Sequence, residues 1–256
     1  MNEKKGSQDR FGYEWNKYNK IIPIYETQFL KWVYPLNKSD FKNKLILDAG
    51  CGIGRNSYWP IKYGAKEVYS FDYDKRTVNI AKQNLLGFSN SEVFFESIYD
   101  LKFKNKFDLA FSIGVIHHLE FPHKAIQKVI DSLKTNGKIL IWVYGYEGNE
   151  WIVKYINPIR KITSRIPVIF THILTYSMSI PLYFYIKTFK QKSKYLNQLK
   201  KFKFWHINSI VFDQLLPKIA NYWTKTEALS LLENKGLKDI EIHRVNENSW
   251  TVIGTK

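Results

Sequence analysis

The sequence predicts an α/β fold: a mainly parallel sheet with helices on both faces and one antiparallel edge. Three observations predict it. Short apolar runs alternate with amphipathic stretches between residues 45 and 143, the rhythm of strand–helix–strand units whose crossovers cover both faces of a sheet. A glycine-rich turn, LDAGCGIGR at 47–55, follows directly on the first apolar run. Two alternating segments near the end, DIEIHRV (239–245) and SWTVIGT (249–255), are joined by a tight turn and read as a hairpin.

Taken in order, residues 1–10 read as a loose tail, and 11–36 as an aromatic-rich, partly helical segment interrupted by Pro23. LILDA (45–49) is a buried strand. Residues 56–63 are helix-like, with Pro60 shortening or kinking the helix. EVYSFD (67–72) is a second strand and KRTVNIAKQNL (75–85) a helix with one apolar face. EVFFES (92–97) and FDLAFSI (107–113) are the third and fourth strands. HKAIQKVIDSLK (123–134) is an amphipathic helix that Asn136-Gly137 should end as a C-cap. KILIWVY (138–144) is the fifth strand. TKTEALSLLENKG (224–236) is a helix opened by a capping box, Thr224 with Glu227. This divides the chain into an N-terminal aromatic helical segment (1–36), a core (37–144), a basic and aromatic helical insertion (145–223), and a final helix and hairpin completing the core (224–256).

At 256 residues the chain suits one large domain, or a domain with an elaboration. Its 45% hydrophobic and 24% charged content excludes a disordered chain. Lys+Arg less Asp+Glu is 39 − 23 = +16, which suggests an anionic partner, although general Lys, Asn and Ile richness contributes to it. The single cysteine, Cys51, excludes a disulfide scaffold and a cysteine-based zinc site, and no metal is expected. The segment MNEKKGSQDR has no apolar signal region, so a cytoplasmic location is expected.

The glycine turn carries the chemistry. Gly50, Gly52 and Gly54 lack Cβ atoms, so the backbone turns sharply and approaches a ligand closely. The end of a parallel strand is where open α/β sheets bind ligands. The spacing is G-x-G-x-G with Asp48 before it, not the G-x-G-x-x-G of a pyrophosphate site. That favours a nucleoside without phosphates. Asp72 ends the second strand, 18 residues after Gly54 (72 − 54). Its carboxylate suits the vicinal hydroxyls of a ribose; the plain alternative is a turn residue.

LDAGCGIGR, FDYD and the strand FDLAFSIGVIHHL together resemble the class I S-adenosylmethionine-dependent methyltransferases, over roughly residues 44–144 plus the terminal helix and hairpin. The resemblance implies a Rossmann-like seven-stranded sheet whose last strand inserts antiparallel. It implies S-adenosyl-L-methionine as cofactor. Gly50, Gly52 and Gly54 would lie against its methionine portion and ribose, with Asp48 anchoring the turn. Asp72 would take the ribose hydroxyls and Tyr73 flank the adenine. Ser97 and Ile98 fall at the family's adenine contacts, although many relatives carry Asp where this chain has Ser97. Ser112, Ile113 and Gly114 would offer backbone carbonyls near the sulfonium. Cys51 would pack as a small residue, and Arg55 would serve a helix end or the ligand carboxylate.

For methyl transfer the protein must hold a nucleophile in line with an activated methyl and exclude water. His117 and His118 follow the fourth strand at the expected acceptor mouth. One would be a base or orienting group; the bland reading is loop packing for both. SIGVIHH replaces the Asn/Asp-Pro-Pro-Tyr run of enzymes that methylate DNA bases and protein glutamine, which favours an oxygen, or a nitrogen or carbon, of a small-molecule, glycan or lipid-linked acceptor. In FGYEWNKY (11–18), Tyr13 or Trp15 would stack on sulfonium or acceptor, or else cap the sheet. An adenosylmethionine-binding protein without catalysis is the non-enzyme alternative.

From Trp151 to Phe212 there is no Asp or Glu, while eleven Lys and Arg contribute +11 of the +16. Three readings compete: a helical lid over the acceptor, a basic and apolar surface on an anionic membrane admitting a lipid-linked acceptor, or an RNA-binding face. Nucleic acid is not expected as the partner, because neither an accessory RNA-binding fold nor an interleaved basic–aromatic platform is evident. A membrane span is disfavoured by Pro167, Pro181, His172 and several hydroxyls within the apolar run.

Overall fold

The computed structural model describes residues 7–191 and 194–256. Seven strands form one sheet in the order β3-β2-β1-β4-β5-β7-β6: β1 Leu45–Ala49, β2 Glu67–Asp72, β3 Ser91–Phe95, β4 Phe107–Ile113, β5 Leu133–Tyr144, β6 Lys238–Val245 and β7 Ser249–Thr255. The first five pair in parallel, while β7 runs antiparallel between β5 and β6. The expected Rossmann-like seven-stranded α/β sheet with its antiparallel hairpin is therefore present. β1, β4 and β5 are central and buried, as their unbroken apolar runs require.

Helices cover both faces. These are α1 Gln8–Lys17, α2 Ile24–Trp32, α3 Arg55–Lys62, α4 Lys75–Leu85, α5 Pro122–Ser132, α6 Asn157–Thr163, α7 Val168–Thr188, α8 Lys194–Leu199, α9 Phe204–Leu215 and α10 Lys225–Ser230. One core cluster, including Phe107, Ile126 and Val129, lies between the sheet, α5 and α10. The other, including Phe29, Phe41 and Phe111, packs α2 and α3 on the opposite face.

Several expected boundaries move. Of the expected loose tail, 1–10, residues 1–6 lie outside the described residues, and α1 already begins at Gln8. β3 stops at Phe95, so Ser97 and Ile98 stand in the turn beyond it. α5 ends at Ser132, before the expected Asn136-Gly137 cap. Leu133 is fully buried and pairs with Phe107 instead, and Asn136 (φ +63) donates its N–H to the Lys256 carbonyl in a bulge between two stretches of pairing. The last helix keeps its capping box but stops at Ser230.

The insertion is tied to the N-terminal helix by one buried cation. The Arg10 guanidinium donates to the carbonyls of Leu216, Ile166 and Thr163 and to Thr171 Oγ1, at 2.8–3.0 Å. Arg160 is also internal, bonded to Gln214, Asn157 and Tyr222; it adds nothing to a basic surface. Lys192 lies outside the described residues. No helix among the described residues is long and apolar enough to cross a membrane.

Candidate active site

The glycine turn is sewn to β2: the N–H groups of Gly50 and Cys51 both donate to the Phe71 carbonyl, at 3.0 and 2.9 Å. Gly50 has φ +88, and a Cβ there would stand 2.4 Å from Val115 Cγ2. Only glycine fits that backbone, for conformational and steric reasons together. From the tip of β2, the Asp72 carboxylate accepts from Gly52 N–H at 2.9 Å and Asp74 N–H at 3.2 Å. Burial pushes its pKa up to about 6, with those amides opposing. Tyr73 stacks on Phe95 at 5.3 Å, nearly parallel, beside Ser97 and Ile98.

These residues form one end of a cavity of about 2080 Å³. Gly50, Gly52, Asp72, Tyr73, Ser97, Ile98, Ile113, Gly114 and His118 line it. Four expected site residues stand behind its wall. Gly54 (φ +79) starts α3 against Leu85. Ser112 donates its hydroxyl to the Ala49 carbonyl at 2.8 Å, joining β4 to β1. Asp48 is fully buried beneath the turn; it accepts from Ser57 at 2.6 Å, which in turn accepts from Ser70 at 2.9 Å. Desolvation pushes the Asp48 carboxyl up to about 7.

His117 is the fourth. Its ring is fully buried, stacks on Tyr144 at 3.7 Å, and has no hydrogen-bond partner for either nitrogen among the described residues. Burial holds it neutral, well below the usual histidine range. His118 differs. Its Nδ1 lies 2.8 Å from the Ile219 carbonyl. A carbonyl only accepts, so Nδ1 carries the proton and Nε2 keeps its lone pair in the neutral ring. Burial pushes this imidazole down to about 4.

The rest of the wall is made by Trp15, which stands against Gly52, by Trp32, Trp142 and Tyr144, and by Met178, Leu182, Leu199 and Leu215 of the insertion. Phe11, Glu14, Trp15 and Tyr18 follow a helical repeat along α1. Phe11 meets His118 at 4.8 Å, and Trp15 lies 3.8 Å from where a Cβ on Gly52 would be. Tyr13 is not on the wall; its hydroxyl bonds His172 Nδ1 at 3.1 Å. Arg55 lies against Trp15, Tyr25 and Trp32 at 5.0–5.2 Å, a cationic side chain held by π faces. Sequence reasoning missed Glu14, Asp213 and Tyr144. The one usable signal was Glu14, the single acid in FGYEWNKY. Among the described residues, no group of three or more His, Cys, Asp or Glu is placed to hold a metal ion.

Comparisons with known proteins agree with this architecture. The sheet and helices superpose on a SAM-dependent methyltransferase from Thermotoga maritima with TM-score 0.58 and 15% identity, covering 98% of this chain and 99% of that one. Human N-acetylserotonin methyltransferase, solved in complex with SAM, gives TM-score 0.58 and 14% identity over 98% of this chain and 57% of its own. At these identities the likeness is one of fold. In sequence, the chain is 30% identical over 120 residues to a tRNA U34 carboxymethyltransferase of Helicobacter pylori, covering 44% of this chain and 45% of that protein. A protein of the same name from Desulfotalea psychrophila is 27% identical over 117 residues, 43% of this chain and 36% of its own. The match takes in less than half of these relatives' length. It nonetheless overturns the expectation that set nucleic acid aside as a partner: these relatives are named for a tRNA. That expectation rested on finding no RNA-binding accessory fold, and resemblance within the catalytic fold needs none. The methyltransferase-domain family profile matches residues 40–236, more than half of the chain, and with the glycine turn, the acid at the tip of β2 and the seven-stranded sheet it makes this chain a class I S-adenosylmethionine-dependent methyltransferase.

Proposed function

We propose that the chain methylates a lipid-linked acceptor at an anionic membrane surface. The observation that carries this reading is the inverted polarity of α7. Its buried side chains include Thr171, His172, Thr175 and Ser179, while Ile169, Phe170, Ile173, Leu174, Ile180, Phe184 and Tyr185 are exposed. A soluble helix turns its apolar stripe inward, and an exposed apolar patch of this kind marks an interaction surface. Lys161, Arg165 and Lys190 are exposed near its ends, where each contributes about 1 kcal/mol of attraction to anionic lipid. The same helix sends Met178 and Leu182 into the cavity, so the surface and the site share one element.

S-adenosylmethionine supplies a methyl group on a positively charged sulfur. Gly50, Gly52 and Asp72 would hold its amino-acid and ribose parts, with Tyr73, Ser97 and Ile98 beside the adenine. The fit rests on the open cradle at Gly52 and on the half-buried Asp72 carboxylate at the cavity wall. The cavity, about 2080 Å³, is twice the upper size of an ordinary ligand pocket, about 1,000 Å³. It has room for a second molecule. His118 takes the acceptor's proton through Nε2; His117 supports Tyr144 from behind.

A second reading, methylation of an RNA nucleoside, is favoured by the tRNA-directed names of the curated relatives. Labelled methyl transfer into fractionated cell extract separates the two. Label in the lipid fraction, with flotation on phosphatidylglycerol vesicles that Phe170→Ser with Phe184→Ser abolishes, supports the first. Label confined to ribonuclease-sensitive material sinks it and establishes the second.

A further inference from the structure

The cavity wall holds an acid pair that belongs neither to the glycine turn nor to the tip of β2. Glu14, on α1, is fully buried; its Oε1 accepts from Ser209 at 2.9 Å, while Oε2 is buried with no partner among the described residues. Asp213 stands one helical turn after Ser209 on α9 and accepts from the Tyr144 hydroxyl at 2.9 Å. Both carboxylates line the cavity. Desolvation and mutual repulsion push the Glu14 carboxyl well up, and desolvation raises Asp213. Arg55 and Arg160 are the cations whose charge reaches this pair. Arg55 is spread over three aromatic faces, and Arg160 is bonded to Gln214, Asn157 and Tyr222.

Two features place this pair beside the point of methyl transfer. On the same face of α1, Phe11 one turn before Glu14 touches His118, and Trp15 just after it covers Gly52. Tyr144, which holds Asp213, meets His118 at 5.7 Å. Trp142 adds a π face to the two acids, whereas Arg55 already lies over Trp15 and Trp32. An unpaired buried carboxylate is costly unless an opposite charge or a donor reaches it. Aromatic faces with acids form a receptor for an organic cation.

We propose that Glu14 and Asp213 are a cation-binding subsite for the acceptor, which therefore presents an ammonium next to the atom that receives the methyl group. The proposal rests on the methyltransferase reading and narrows its acceptor to the amine-bearing class.

The test needs no known acceptor. Sinefungin carries a primary ammonium on carbon where adenosylmethionine has its methyl-bearing sulfur; adenosylhomocysteine has neither. Calorimetry on the full chain compares the two ligands for wild type, Glu14→Gln and Asp213→Asn. Binding of adenosylhomocysteine to wild type is read first, and its absence would refute the cofactor site itself. The expected result is that each variant weakens sinefungin about tenfold while adenosylhomocysteine, and adenosylmethionine titrated alongside it, stay within twofold; adenosylmethionine weakened together with sinefungin would assign the pair to the cofactor's sulfonium and overturn the proposal. Equal weakening of both ligands would assign the pair to the cofactor's amino-acid end or to folding, and would overturn the proposal. Unchanged affinity for both would overturn it as well. The adenosylhomocysteine affinity also shows that each variant is folded.

Discussion

The two ends of the cavity are built by different means. The end proposed for the cofactor is made of backbone: a turn sewn to β2 through two amides, and one carboxylate held by two more. The end proposed for the acceptor is made of long side chains from α1, β5, α7 and α9, elements far apart in sequence, and Arg10 ties α1 to the segments before α7 and after α9. Backbone geometry tolerates little change at a given position, whereas a side-chain wall can be rebuilt without moving the sheet. The first end should therefore fail at single residues, and the second should change specificity before it loses cofactor.

The sharpest way to break this contrast is Gly50→Ala. The new Cβ combines a left-handed φ with a 2.4 Å approach to Val115; strain of about 1–2 kcal/mol plus a similar overpacking cost is expected. Adenosylhomocysteine affinity should drop by about a hundredfold or more, with a lower melting temperature. A variant that binds normally would show that the turn is not the cofactor cradle.

Next in size is the histidine pair. His118→Ala should lower turnover by about a hundredfold, while His117→Phe, which preserves the stack on Tyr144, should keep turnover within about fivefold. With its pKa near 4, His118 is neutral above about pH 5, so its contribution to rate should be flat from there upward and fall only as pH drops toward 4. Equal losses in both variants would mean that the ring serves packing.

Asp48→Asn tests the acid behind the wall. Its folded pKa, about 7, is raised above the model-compound value of 3.8. The neutral carboxyl is thus favoured in the fold; its stability contribution is complete below the unfolded pKa and is lost as pH rises through about 7. The amide should raise the melting temperature by about 3 °C or more at pH 8, and by much less at pH 4. A constant difference across pH would show that burial does not perturb Asp48.

Smallest in its effect on cofactor binding is the change at the acceptor end. Leu182→Trp fills the cavity from the α7 side and should stop methyl transfer while leaving adenosylhomocysteine affinity within twofold. Loss of cofactor binding would show that the two ends are not separable.

The part of the cavity wall around the glycine turn was largely legible in the sequence. Gly50, Gly52, Asp72, Tyr73, Ser97, Ile98 and Gly114 all reach the cavity wall, because close backbone approach demands glycine and a strand tip fixes where an acid points. The acceptor end was not. Nothing in the order of residues says that His118 faces the cavity and His117 does not; one residue of offset within a single 3₁₀ turn, Ile116–His118, decides it. Arg160 counted as a basic surface residue in the sequence and is buried in the structure. The apolar run at 166–186 was open to reading as part of a lid or of a membrane surface, and its outward orientation follows from polar partners elsewhere, such as Asn208 for Ser179 and Tyr13 for His172.

By itself the sequence determined the sheet, its crossovers, the glycine turn and the acid opposite it, because these depend on local periodicity and on backbone conformations that few residues allow. Only the tertiary structure decided which side chains share the acceptor cavity. Glu14 and Asp213 lie almost two hundred positions apart (213 − 14 = 199), and their meeting depends on how the insertion folds back over α1. Contacts made by packing at long range leave no periodic mark on the chain.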